Sequence, residues 1–200
     1  MSKIKHTKNE LKAQRDALRR FQRYLPTLQL KKQQLQLELR QIEARLEEQS
    51  AAEHALRERL APWLKLLAEP VDLAALLAVE EVRTSVGNIA GVNIPLLQEV
   101  RLRRAVPDLF ATPSWVDDAL DLLSQLLRVR AERAILAEQR RLLADELRTT
   151  SQRVNLFEKV KIPEGEENIR VIRIFLGDQQ TADVARSKLA KGRAKTGEAA

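Results

Sequence analysis

The sequence contains no cysteine, only six glycines and only 4% aromatic residues among its 200 positions. Without cysteine the chain forms no disulfide and offers no thiolate for catalysis, which is typical of proteins from a reducing compartment. So few aromatic side chains cannot fill a large globular core. Leu, Ala, Glu, Arg, Lys and Gln dominate instead, and 32% of the residues are charged, a composition typical of long helices.

Long apolar runs and catalytic motifs are also missing. No stretch approaches 18 consecutive apolar residues, and the charged N-terminus lacks the apolar run of a signal peptide, so we predict no signal peptide and no direct membrane insertion. The sequence has no phosphate-binding glycine loop. His6 and His54 stand without the neighbouring ligands that a metal needs. We therefore predict no catalytic residue, no cofactor and no metal.

The positive charge is concentrated at the two ends of the chain. Residues 1–40 hold 11 Lys/Arg and 3 acidic residues, a net charge of +8, and residues 181–200 have a net charge of +3. The 140 residues between them have a net charge of −4. Basic ends of this kind fit either nucleic acid or an acidic protein surface.

Apolar residues recur at alternating spacings of three and four through the N-terminal part. Thirteen of these 17 positions are apolar, which predicts a coiled-coil seam. Thr7 followed by Glu10 is a capping-box pattern that would start the helix, and Pro62 and Pro70 mark its fraying end. The seam positions are Leu11, Gln14, Leu18, Phe21, Leu25, Leu28, Lys32, Leu35, Leu39, Ile42, Leu46, Gln49, Glu53, Leu56, Leu60, Trp63 and Leu67.

The same spacing returns in the C-terminal part after Pro113 and Ser114, which form a plausible helix start. Ten of its 14 positions are apolar, Pro163 and Gly165 interrupt the helix, and apolar residues resume beyond them. The positions are Trp115, Ala119, Leu122, Leu126, Val129, Arg133, Leu136, Arg140, Leu143, Leu147, Thr150, Val154, Phe157 and Lys161, followed by Ile169, Ile172 and Leu176.

Between the two helices, β-branched residues alternate and turn residues cluster. This pattern predicts a β-hairpin over about 80–104 with its turn near Gly91–Asn93. Pro95 indicates an edge position, because proline cannot donate to a strand ladder. A lone hairpin is marginally stable, so it needs a surface to pack on.

These patterns predict a protein dominated by α-helix, in which two long helices pair as an antiparallel coiled coil around a short mid-chain β-hairpin. We divide the chain into an N-terminal long helix (1–70), a middle insertion (71–112), a C-terminal long helix (113–180) and a basic, loosely ordered tail (181–200), all in one structural unit.

Four charged residues fall on the predicted seam: Lys32, Glu53, Arg133 and Arg140. An unpaired charge in a dry seam costs several kcal/mol. Either their long stems lie along a thin, partly wet seam and the charges reach water, or these positions contact another chain.

Three segments resemble the D subunit of the V-type and A-type rotary ATPases. Residues 7–39 resemble that family's N-terminal helix, and NIAGVNIP (88–95) resembles its mid-chain hairpin. RVNLFEKVKIP (153–163) is similar to its C-terminal signature, carried here by Arg153, Val154, Asn155, Glu158 and Pro163.

The resemblance implies a non-catalytic central rotor shaft that transmits torque between the nucleotide sites of the head and ion flow in the membrane sector. It implies three partners: the head hexamer of A and B subunits, the small F subunit of the central stalk and the funnel subunit on the membrane ring. The chain would be cytoplasmic and peripheral to the membrane. The alternatives from the residues themselves are a nucleic-acid-binding coiled coil or a scaffold or chaperone-type coiled coil.

The candidate partner-binding residues form two groups. The first, a hypothesis for contact with the sleeve that the head forms around a shaft, combines basic residues with two leucines that lie away from the seam: Lys8, Lys12, Arg15, Arg19, Leu30, Leu37, Arg186 and Lys188. The second lies in the hairpin region: Val82, Val86, Ile89, Ile94 and Val100.

Overall fold

The computed structural model describes the backbone of residues 4–63, 65–66, 69, 71–108 and 112–197, with side chains to residue 191. The seam position Leu67 and Pro70 lie outside the described residues. The described elements are α1 (Lys8–Leu60), a 3-10 turn (Ala61–Trp63), α2 (Leu73–Leu76), β1 (Leu77–Ile89), β2 (Val92–Arg104), α3 (Trp115–Leu156), a π-helical segment (Phe157–Lys161) and α4 (Ile162–Gly197).

Helix α1 begins where its capping residues predict. The backbone N–H of Glu10 donates to Thr7 Oγ1 at 3.2 Å, so the Thr7 side chain satisfies one of the helix's unpaired N-terminal donors. The helix passes through Pro26, which lacks an N–H and so cannot donate to the carbonyl of Gln22. It ends at Leu60, and Pro62 lies in the 3-10 turn that follows.

The helix after the hairpin starts at Trp115, directly after Pro113 and Ser114. The predicted interruption at Pro163 and Gly165 takes another form, because the backbone stays helical there. A π-helical segment lies just before Pro163, which occupies the first turn of α4. Because proline lacks an N–H and its ring crowds the preceding turn, the continuous helix departs from α geometry directly before Pro163, in the π-helical segment.

The chain forms two compact units, and the first comprises Met1–Leu30 with Thr150–Ala200. In this unit α1 packs antiparallel to the π-helical segment and α4. The rings of Phe21 and Phe157 lie 5.0 Å apart, and those of His6 and Phe175 lie 4.8 Å apart. The residue nearer the N-terminus of the chain, His6, therefore contacts the residue nearer the C-terminus, Phe175, as antiparallel packing requires.

The second unit, Lys31–Thr149, has the same antiparallel pairing of α1 with α3. One cluster brings Leu35 and Ile42 together with Leu136 and Leu143. Farther along, a second cluster is formed at the end of α1 by Leu56, Leu60, Leu122 and Leu126. Both clusters use positions of the predicted seams, so the predicted fold, mainly helical with antiparallel helix pairing around a hairpin, is confirmed.

The hairpin pairs β1 with β2 from Leu77↔Arg104 to Ile89↔Val92. Its tip packs on the helices, because Ile94 is buried in the cluster with Leu35 and Leu143. Its open end packs through Leu77 on Val116 and Leu120 of α3. Anchoring at both ends supplies the surface that an isolated hairpin lacks.

The turn of the hairpin lies at Ala90 and Gly91, slightly before the predicted Gly91–Asn93. Both residues have positive φ, 50° and 82°, as a two-residue turn between twisted antiparallel strands requires. The Asn88 side chain supports the turn by accepting from the Gly91 N–H at 3.1 Å. Pro95 pairs with Val86 in a two-stranded sheet, where each strand is an edge, as predicted.

Replacing two glycines with alanine is expected to have opposite effects. Gly91→Ala should lower the free energy of unfolding by about 1 kcal/mol, because a Cβ at positive φ is strained. Gly177→Ala should raise the helix content of α4, since no atom lies within 4 Å of the added Cβ and alanine favours helix by about 1 kcal/mol. Urea unfolding measures the free energy of unfolding of Gly91→Ala, and circular dichroism measures the helix content of Gly177→Ala. An unchanged or higher free energy of unfolding in the first variant, or an unchanged or lower helix content in the second, would contradict these expectations.

Three boundaries differ from those predicted. The α1 helix ends at Leu60 rather than near residue 70. The second helix begins at 115 and contains the π-helical segment. Finally, α4 continues to Gly197 across most of the segment predicted to be a loosely ordered tail. The side chains described over 181–191 are all exposed. A helix that buries no face needs no apolar residues at helical spacing, so the sequence pattern did not indicate this extension.

Candidate interaction surfaces

The four basic residues predicted near the N-terminus share one exposed face of α1. Lys8, Lys12, Arg15 and Arg19 follow each other at spacings of four, three and four, which keeps them on one side of a helix. Together with Leu11 and Asp16 they line a shallow depression of about 210 Å³. We call these four residues the basic face. One acid among four bases leaves it strongly positive.

The other two predicted basic residues lie on the exposed extension of α4. Arg186 Nη1 is 3.5 Å from Asp183 Oδ1, one helical turn earlier. Lys188 is exposed. An exposed i,i+3 pair contributes little stability, so the Arg186 guanidinium can exchange this partner for another at little cost.

Leu30 in the first unit and Leu37 in the second are both exposed, with 66% and 56% of their surface open. Their neighbour Leu35 is fully buried in the core cluster of the second unit. The predicted register of the seam is therefore correct at these positions, since the seam leucine is covered and the two off-seam leucines are not.

The predicted hairpin residues divide between surface and core. Val86 is 78% exposed and Val82 is also exposed, whereas Ile89 and Val100 are half-buried. Ile94 is only 2% exposed and packs on the helices. Its side chain is therefore a core contact, and the assignment of Ile94 to a partner surface is wrong for the chain as it stands. Strand alternation alone does not tell which face of a two-stranded sheet meets the helices.

Sequence reasoning missed an apolar patch on α4. Val171, Ile174 and Phe175 are exposed there, although Ile169 and Ile172 beside them are buried. The signal was present, because 171, 174 and 175 have the spacing of one helical face. It was overlooked because the seam pattern already accounted for the apolar residues nearby.

The second unit contains one deeply covered acid. Glu53 is 2% exposed, and three arginines converge on its carboxylate. Arg57 Nη2 lies 2.7 Å from Oε1, Arg130 Nε donates to the same oxygen at 3.0 Å, and Arg133 Nη1 donates to Oε2. The acid and Arg133 are the predicted inward charges, and they satisfy each other rather than both reaching water.

The arginines stabilise the ionised form of Glu53. The hydrogen bond from Arg130 lowers the pKa of Glu53 most, and the charges of Arg133 and Arg57 lower it further, against the opposing effect of burial. Spacing predicted Arg133 at this position. The other two arginines lie beside the seam, so heptad positions alone did not identify them.

The remaining predicted seam charges lie nearer to solvent. Arg140 Nε is 3.4 Å from Glu43 Oε1, and both side chains are about half exposed. Lys32 is half-buried, and the neighbouring Lys31 Nζ lies 2.6 Å from Glu146 Oε1. Arg140 therefore follows the first of the two predicted alternatives, in which the charge at the end of a seam side chain reaches water.

Within the described ranges, no cluster of three or more His, Cys, Asp or Glu side chains could hold a metal ion. The described helices also include none with an apolar stretch long enough to cross a membrane. The conspicuous features of the described residues are the basic face, the exposed leucines, the middle of the hairpin and the arginine cluster.

Comparison with known proteins gives a consistent result over nearly the whole chain. The family of ATP synthase D subunits matches residues 10–192. The V-type ATP synthase D subunit of Borreliella burgdorferi is 47% identical over 191 residues, covering 96% of this chain and 95% of that protein. The proteins of the same name from Chlamydia muridarum and Chlamydia caviae are 38% and 35% identical; each alignment covers 95% of this chain, and 95% and 93% of the relatives.

Proposed function

Because this chain belongs to the family of ATP synthase D subunits, we propose that it is the central rotor shaft of a V-type or A-type rotary ATPase. The observation that carries the proposal is the family match over residues 10–192. In this role the chain hydrolyses no ATP itself. It transmits torque between the nucleotide sites of the head and the ion-translocating membrane sector.

A shaft needs stiffness and asymmetry. Antiparallel helix pairing in both units favours stiffness. The hairpin packs on one stretch of the second unit and makes the surface of that unit asymmetric. Rotation of an unequal surface presents different contacts to otherwise similar sites, and only differential contacts can change the affinities of those sites. These features support the proposal.

The proposed partners are the head hexamer of A and B subunits, the small F subunit and the funnel subunit on the membrane ring. We assign the basic face, Leu30, Leu37, Arg186 and Lys188 to the sleeve of the head. The exposed hairpin residues Val82 and Val86 form a further candidate contact. The complex would place the chain at the cytoplasmic side of the membrane, peripheral to it.

Purification from native membranes through a tag on this chain tests the proposal. Catalytic ATPase subunits in the eluate, at one shaft per head, are the expected result. A complex that contains nucleic acid, or that contains this chain alone, would instead favour the binding or scaffold alternatives. Salt-dependent affinity for DNA, measured in parallel, separates those two.

Neutralising the basic face should weaken coupling. With Lys8, Lys12, Arg15 and Arg19 all changed to Gln, we expect lower ATP-driven torque, measured by single-molecule rotation, and a larger loss at low salt, where exposed charges are less screened. The matched control changes four exposed arginines on other surfaces: Arg45, Arg59, Arg128 and Arg148. Equal losses in both variants would show that total charge matters rather than this face.

Each exposed leucine should contribute to attachment but not to folding. Leu30→Ser and Leu37→Ser, tested separately, should each weaken binding to the head by about 1–2 kcal/mol, the value of burying an apolar side chain. Their melting temperatures should match the wild type, because both side chains are exposed. Leu35→Ser is the control that should lose stability, and unchanged head binding by both surface variants would reject this assignment.

A further inference from the structure

The arginine cluster around Glu53 has more positive charge than that carboxylate neutralises. Arg57, Arg130 and Arg133 surround one acid, so the group carries a net charge of +2. Three like charges this close repel one another, and a structural ion pair needs only one of them. Pairing with Glu53 therefore does not account for the two additional positive charges of the group.

The three guanidinium groups are accessible although the acid is not. Their side chains are 53%, 54% and 46% exposed, against 2% for Glu53. Each guanidinium has five N–H donors, and the contacts with Glu53 described above use one donor from each arginine. Most of the donors therefore stay available on the outer side.

These donors border an open cleft of about 420 Å³ in the second unit. Its wall also includes Ala134 and Ala137, one turn apart on α3, whose small side chains leave room beside the guanidinium groups. Glu53 holds the arginines from behind, which fixes their planes before any ligand arrives. Pre-organisation of this kind reduces the entropy that binding would otherwise cost.

From this geometry we infer that Arg57, Arg130 and Arg133 form a binding site for a phosphate group, with Glu53 as the residue that positions them. A phosphate dianion matches the net charge of +2, and its oxygens suit the planar fork of arginine. A single carboxylate would leave half of the excess charge unpaired. All four residues lie in the second unit.

The phosphate group could be free inorganic phosphate or the terminal phosphate of a nucleotide. Titration of the full chain with inorganic phosphate at constant ionic strength, followed by the NMR signals of the arginine Nε–H groups, tests the site directly. Arg130 and Arg133 signals should shift and saturate, while that of Arg141, which pairs with exposed Glu138, should not. Shifts that do not saturate, or that are equal at Arg141, would overturn the inference.

Two variants sharpen the test. Arg133→Lys keeps the charge but removes the fork, and should weaken phosphate binding about tenfold, the loss of roughly one charge-assisted hydrogen bond. Arg141→Gln, the matched control, should bind as the wild type does. Unchanged affinity in Arg133→Lys would contradict the site even if phosphate still binds elsewhere on the basic surface.

Nucleotide titrations identify the source of the phosphate. If ADP saturates the same signals with an affinity comparable to that of inorganic phosphate, the site accepts a terminal phosphate. If only the free anion does so, the site belongs to inorganic phosphate. Either result supports the cluster as a phosphate site.

Discussion

Glu53→Gln should lower the free energy of unfolding of the second unit by about 2 kcal/mol. The variant keeps the shape of the side chain but removes the charge that three arginines share, and hydrogen bonds to charged groups contribute about 1.5–3 kcal/mol each in protein variants. We expect a loss close to the value of one such bond rather than of three, because the arginines are half exposed and recover hydration when the charge is lost.

Urea unfolding followed by circular dichroism measures this loss. Glu43→Gln is the matched control, because Glu43 pairs with Arg140 at 3.4 Å in an exposed position. An exposed pair contributes about 0–1 kcal/mol, so the control should change little. Equal effects of the two substitutions would mean that covering Glu53 adds nothing to its interaction with the arginines.

The difference between wild type and Glu53→Gln should also depend on pH. Since the folded chain lowers the pKa of Glu53 below its usual 4.5, the unfolded chain binds the proton more tightly. The carboxylate's contribution is therefore complete above the unfolded pKa and is lost as the pH falls through the folded pKa. The difference between the two proteins should start to shrink as the pH falls below about 4.5 and should vanish only below the folded pKa, and a difference that does not shrink below about pH 4.5 would contradict the assignment.

Ile94→Ala should detach the tip of the hairpin from the helices. Ile94 is 2% exposed and packs with Leu35, Ile42 and Leu143. Replacing a buried isoleucine with alanine costs about 2–5 kcal/mol, through lost burial and the cavity left behind. Because two strands alone are marginally stable, we expect faster amide exchange throughout the hairpin, with the helix amides less affected.

Val86→Ala provides the control within the same hairpin. Val86 pairs with Pro95 on β2 but is 78% exposed, so its truncation should leave amide exchange almost unchanged. If both variants accelerate exchange equally, strand propensity rather than docking on the helices holds the hairpin. If neither does, the contact at the open end through Leu77 is sufficient by itself.

Much of the fold could be predicted because its core repeats. The three- and four-residue spacing identified Leu35, Leu136 and Leu143, and Thr7 marked the helix start. These signals are local, since a helix buries one face and needs one cap. The hairpin was also predicted, apart from its exact turn, since Gly91 adopts the positive φ that such turns require.

The candidate surfaces were harder to predict, because contact across helices is not local. The spacing placed Glu53 and Arg133 on the seam, but which arginines reach the carboxylate depends on how two distant segments align. Gln139 is a similar case: its side chain donates to the backbone oxygen of Pro95 and ties α3 to the hairpin, a contact that no sequence pattern indicated.

The π-helical segment Phe157–Lys161 changes which faces are buried beyond it. Continuing the heptad frame of Val154 and Phe157 would place positions 168, 171 and 175 on the buried side. The structure buries Ile169 and Ile172 instead, a shift of one residue, which is what a single extra residue in a helical turn produces. Val171 and Phe175 are therefore exposed through this change of frame, and one residue inserted upstream decides which apolar side chains a partner can reach.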